Sequence, residues 1–70
     1  MRKYQVLKVS ITGEKVLCAE CDSIEFATTA ANKLAQELKE NENYERVIIK
    51  ELKNEKYKDV AEIYIEQKEK

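Results

Sequence analysis

Two cysteines three residues apart, in Cys18-Ala-Glu-Cys21, form the one pattern in this chain that resembles a chemical motif. A pair placed between a strand and the start of a helix would gain thiolate stabilisation, as a redox dithiol does. Three things weigh against that use. Residues three apart in an extended strand point to opposite faces, so the sulfurs would meet only if the strand ended early. The strand–helix repeat of a thioredoxin-like fold is missing, and the chain has no proline to stand beside the dithiol. The preferred reading makes Cys21 a core hydrophobe and Cys18 a small outer-face one, as free cysteines usually are. Zinc shared between two chains, two thiolates from each, is the remaining alternative for Cys18 and Cys21.

With no histidine, acid–base work would fall to carboxylates, and these are interspersed with lysines as on a solvated face. The single glycine, Gly13, excludes a Gly-rich phosphate loop. The expectation is therefore no enzyme, no cofactor and no metal. A second chemistry to weigh is nucleic-acid binding, since sheet-borne aromatics beside cations bind single strands in some modules. Tyr4, Lys8, Tyr44, Arg46, Lys50, Lys58 and Tyr64 supply both residue types on one expected sheet face. Glu20, Asp22, Glu62 and Glu66 share that face and blunt its field, so cross-strand charge pairing is the favoured account.

Positioning these residues falls to one helix and four strands. From Asp22 to Asn41, apolar residues recur at Ile24, Ala27, Ala31, Leu34 and Leu38, the spacing of one helical face, with Ala30 and Ala35 flanking. Asp22 with Glu25 fits a capping box, Ser23 competes as cap, and Asn41 is the expected left-handed stop. Phe26 stands at the edge of the apolar face. Period-2 patterning predicts strands at about 3–11, 15–21, 44–53 and 57–66, with the helix at about 23–40. A three-residue loop, Ile11-Thr12-Gly13 or Thr12-Gly13-Glu14, closes the first hairpin, and Asn54-Glu55-Lys56 closes the second. The second register pairs Val47 with Ile63, Ile49 with Ala61 and Arg46 with Tyr64. The tail from Gln67 is expected to fray.

The fold class is α+β, β-β-α-β-β, a four-stranded antiparallel sheet in order 2-1-3-4 with the helix across one face; a parallel strand 3 beside strand 2 is the alternative. Leu7, Val9, Leu17, Ala19, Val47, Ile49, Ala61 and Ile63 are expected beneath the helix. The other face then carries Tyr4, Val6, Val16, Cys18, Tyr44, Arg46, Ile48, Lys50, Leu52, Val60 and Tyr64. So many apolar residues on a wetted face suggest that a partner covers part of it.

Seventy residues bound a single domain, and one this small usually has extra support, here an oligomer for want of disulfides or metal. Charged residues make up 39% of the chain, but 13 basic residues balance 14 acidic ones, leaving no broad basic field for nucleic acid. No apolar run approaches a membrane span, and Met1-Arg2-Lys3 leads straight into strand rather than a signal peptide. A cytoplasmic protein with reduced thiols is expected.

The run YQVLKVSITGEKVLCAECDSIEFATTAANKLAQEL, residues 4–38, resembles the hairpin-then-helix opening of many small uncharacterised proteins from phages and mobile elements of Firmicutes. The shared features are a tyrosine-led strand, a Gly-containing turn and an Asp/Ser-capped, Ala-rich helix. The resemblance covers half the chain and implies an accessory protein that acts by binding host machinery. Together these readings predict a non-enzymatic protein-binding module, a homodimer through the outer sheet face or a strand edge or a module docking on another protein there, using Tyr4, Val6, Cys18, Tyr44, Arg46, Ile48, Lys50 and Tyr64. The alternatives are a single-stranded nucleic-acid module on the same face and a redox or metal protein through Cys18 and Cys21.

Overall fold

In the computed structural model of the chain, which describes residues 2–66, the elements are β1 (Tyr4–Ser10), β2 (Lys15–Cys21), α1 (Ile24–Glu37), β3 (Tyr44–Lys53) and β4 (Lys56–Tyr64). The expected fraying of the tail from Gln67 lies outside the described residues. The strands form one antiparallel sheet in the order β2-β1-β3-β4, and the parallel alternative is not adopted.

The helix forms where the apolar spacing requires it, with its ends set differently from expectation. Ser23, extended at φ −130° and ψ 149°, is the N-cap, and its Oγ accepts from the Phe26 N–H at 3.2 Å. Asp22 is released from capping and bonds Arg2 instead. At the far end Asn41 is not left-handed; its Oδ1 accepts from the Asn43 N–H at 3.0 Å in an Asx turn. Ala27, Ala31, Ala35 and Leu38 are the buried face. Ala35 is thus inside rather than flanking, and Ile24 is exposed in the first turn.

Register departs from simple alternation at three places, each by one extra residue. Ile11-Thr12-Gly13 is the first loop: the Ser10 N–H donates to Glu14 O at 2.9 Å, and Gly13 takes φ +92°. From there Leu7 faces Leu17 as expected, but Cys18 is then passed over and Val6 faces Ala19. This is a β-bulge, and it moves Ala19 and Cys21 to the face opposite Leu17. The second turn has two residues, Asn54 and Glu55 at φ 50° and 67°, the left-handed pair of a tight hairpin turn, instead of three. A bulge at Val60 compensates, so Arg46–Tyr64, Val47–Ile63 and Ile49–Ala61 still pair as expected. Glu45 is the third extra residue, between the Val9–Arg46 and Ser10–Tyr44 pairs.

These registers give the sheet an apolar cluster on each face. Tyr4, Val6, Val47, Ile49 and Ile65 join the helix alanines and Leu38, with Ala19, Cys21, Tyr44, Ala61 and Ile63 packed around them. Leu7, Val9 and Ile48 form a separate cluster on the outer face. For β3 and β4 the expected faces hold from Arg46 to Leu52 and from Ala61 to Tyr64; beyond the bulges Tyr44 turns to the helix side, and Lys58 pairs with Glu51 on that same side. For β1 they are inverted: Tyr4 and Val6 go under the helix, Leu7 and Val9 away from it. Both faces of β1 are apolar, so its own pattern could not choose; pairing Val6 with Ile49 and Leu7 with Ile48 decides the matter.

Candidate functional site

The outer sheet face is built by side chains that alternate away from α1. β1 contributes Leu7 and Val9, β3 contributes Arg46, Ile48 and Lys50, and the two edge strands add Leu17 and Tyr64. Across the sheet, Leu17, Leu7 and Ile48 stand in one row, and Val9, Arg46 and Tyr64 in the next. Val9 and Ile48 are 0% exposed although no backbone layer lies over them, so their neighbours' side chains seal them. Leu17 at 48% and Tyr64 at 67% remain open to solvent at the two sides of this cluster.

The eight residues expected to bind a partner divide. Arg46, Ile48, Lys50 and Tyr64 lie on it. Tyr4, Val6 and Tyr44 do not: all three pack against the cluster beneath the helix. Cys18 is the exposed bulge residue of edge strand β2, with its thiol donating to Val16 O at 3.4 Å. Ile48 belongs to the face but offers it no exposed surface. Leu7, Val9 and Leu17 were missed. The signal that could have found them is that β1 and the centre of β3 are apolar at successive positions, the mark of strands covered on both faces.

The two cations that β3 places on the face are engaged within the chain. Lys50 Nζ lies 3.5 Å from Asp59 Oδ1, and Arg46 Nη1 lies 3.0 Å from Glu45 Oε1. The second contact exists because the bulge turns Glu45 toward its neighbour's side, and the buried Arg46 Nε has no hydrogen-bond partner. Tyr44, the intended companion of these cations, instead receives Lys8 Nζ over its ring at 4.4 Å on the helix side. The aromatic–basic grouping expected for single strands is therefore split between two faces.

On the helix side the Tyr4 O–H donates to Glu51 Oε2 at 2.9 Å, with Lys53 Nζ 3.3 Å from the other carboxylate oxygen. This bond raises the Tyr4 phenol above its ordinary range and, with desolvation opposing it, lowers the Glu51 carboxyl. The Arg2 guanidinium likewise holds the Asp22 carboxyl below its usual range. All three groups serve contacts within the fold.

A shallow groove of about 240 Å³ runs between the C-terminal half of α1 and the end of β4, lined by Asn32, Gln36, Lys39 and Glu66 among others. It gathers no nucleophile–base pair. Among the described residues no group of three or more His, Cys, Asp or Glu side chains is placed to hold a metal, and both cysteines are free thiols. No helix of the described residues is long and apolar enough to cross a membrane. No family model, curated protein or solved structure matches the chain.

Proposed function

We propose that this chain is a non-enzymatic binding module for another protein, docking through the outer face of its sheet. The observation that carries the reading is the cluster of Leu7, Val9 and Ile48 on the face without a helix, with Leu17 and Tyr64 exposed beside it. Tyrosine is among the residue types that, once desolvated at the centre of an interface, supply much of its binding energy, and Tyr64 and Leu17 are the exposed apolar area that docking here would bury. An accessory role on host machinery, as the hairpin–helix resemblance implies, is compatible with this surface. Single-stranded nucleic acid is the weaker reading, because Arg46 and Lys50 already face carboxylates and Tyr44 lies on the other side.

The test is capture of a partner from the native host by three forms of the chain: wild type, Tyr64→Lys, and Thr29→Lys on the exposed side of α1. Loss of the partner from Tyr64→Lys alone is the expected result. Equal capture by both variants would move the site off this face. Salt-dependent retention of the wild type on single-stranded DNA or RNA would instead favour the nucleic-acid reading.

A further inference from the structure

The sheet has two free edges, β2 and β4, and their bulges give them opposite characters. In β2, facing pairs place Lys15 with Val9 and Glu20 with Gln5, so both charges project on the outer face. Lys15 and Glu20 are five apart and would lie on opposite faces of a regular strand; the bulge at Cys18 brings them to one side. For the same reason Val16 and Ala19 share the helix side, paired with Lys8 and Val6. An antiparallel copy of β2 can therefore match it face for face, Lys15 against the partner's Glu20 and Val16 against the partner's Ala19. Neither Lys15 nor Glu20 makes an ion pair within the chain among the described residues.

The same operation on β4 gives repulsion. Its bulge at Val60 puts Asp59 and Glu62 on the outer face, opposite Lys50 and Ile48. In the corresponding register an antiparallel copy would set Asp59 against the partner's Glu62 twice over, and like charges directly opposite are destabilising.

A hydrophobic element accompanies the β2 edge. The flank of α1 carrying Asn32, Gln36 and Lys39 lines the groove at β4, so the opposite flank, with Phe26 and Ala30, is turned toward β2. Phe26 is 73% exposed, the highest of the large apolar residues, and Val16 on the same side of the sheet is 42% exposed. Antiparallel pairing brings the partner's Val16 to the Ala19 end of β2, the end from which α1 and Phe26 start.

We propose that a second copy of this chain pairs antiparallel along the free edge of β2, making one eight-stranded sheet closed by two Lys15–Glu20 contacts and the two Phe26 side chains. The pairing is isologous, as a two-fold dimer requires, and the edges left over are the self-repelling β4 strands, so the sheet stops at two copies. A seven-residue strand spans only about 23 Å, which makes this a dimer at the small end of specific interfaces. It leaves the outer face open and stands whether or not a partner docks there.

Sedimentation equilibrium of the full chain from micromolar to millimolar concentration tests it. The wild type is expected to pass from monomer to dimer. Lys15→Glu and Glu20→Lys, each placing like charges opposite one another twice, should each weaken the dimer about tenfold. The double variant should recover wild-type association. Hydrogen exchange at Val16–Glu20 should slow as the dimer forms, and Phe26→Ala should weaken association without lowering the melting temperature at low micromolar concentration, where the chain is monomeric. A chain monomeric at millimolar concentration would overturn the proposal. So would a dimer indifferent to the single reversals but lost in Tyr64→Lys, which would be a dimer through the outer face and would leave the docking reading intact.

Discussion

Glu55 is the residue least suited to its place. It stands at φ 67° in the second position of a two-residue hairpin turn, where left-handed backbone costs a side-chain-bearing residue about 1–2 kcal/mol. Glu55→Gly, completing an Asn-Gly turn, should raise stability by about 0.5–1 kcal/mol in urea unfolding, since glycine's extra unfolded-state freedom offsets part of the relief. Gly13 is the reverse case. No atom lies within 4 Å of an added Cβ, so Gly13→Ala should cost about 1–2 kcal/mol through its φ of +92° alone. The Tyr4–Glu51 bond sets a pH dependence with two limbs. Because the Glu51 carboxyl is lowered on folding, its contribution is present above the ordinary carboxylate range and is lost as pH falls through the folded value. Because the Tyr4 phenol is raised, its contribution is present below pH 10.0 and is lost as pH rises through the folded value. Melting temperature against pH should therefore show a plateau that falls at both ends, and Tyr4→Phe should shallow both falls.

At the scale of elements, the cap and the alanine face make separate predictions. Ser23→Ala should cost about 1 kcal/mol, because the Phe26 N–H loses its acceptor, while the Asp22 carboxylate, bonded to Arg2, does not replace it. Ala31→Leu should cost about 1–3 kcal/mol in the same unfolding measurement, since Ala31 is wholly buried where α1 lies close against the sheet. The helix and both hairpins were legible because their signals are local: the 3-4 spacing of Ala27, Ala31 and Leu38, the glycine of the first turn, the run Val47-Ile48-Ile49. The bulges at Cys18, Glu45 and Val60 left no such mark. Each results from fitting a strand to its neighbour, and Leu17, Ala19 and Cys21 read as one line until Val6 is seen opposite Ala19.

For the whole molecule the consequence is a thin body, 43 × 23 × 15 Å, with one helix covering one side of the sheet. Leu7, Val9 and Ile48 on the other side hold the central strands together as well as underlying the proposed docking face. Ile48→Asp should therefore unfold the domain rather than merely block binding, because an aspartate in a fully buried site lacks both water and a partner. Loss of cooperative melting by circular dichroism checks this, and Tyr64→Lys, at an exposed position, should melt as the wild type does.

The amino-acid sequence alone determined the elements and the poverty of catalytic residue types, since each depends on composition or on spacing within a short run; it favoured the order 2-1-3-4, and the antiparallel pairing of β1 with β3 decided it. It also raised the expectation that a partner covers part of one sheet face. Tertiary structure decided which residues of β1 make that face. With Tyr4 and Val6 on one side and Leu7 and Val9 on the other, the strand suits either orientation, and only its register with β3 distinguishes them. Cys18 shows the same division. Its spacing from Cys21 suggested a motif, whereas its place as the extra residue of β2 gives it a geometric role, turning Lys15, Leu17 and Glu20 to a common side. A bulge exists only between two strands, so no property of one strand could reveal it.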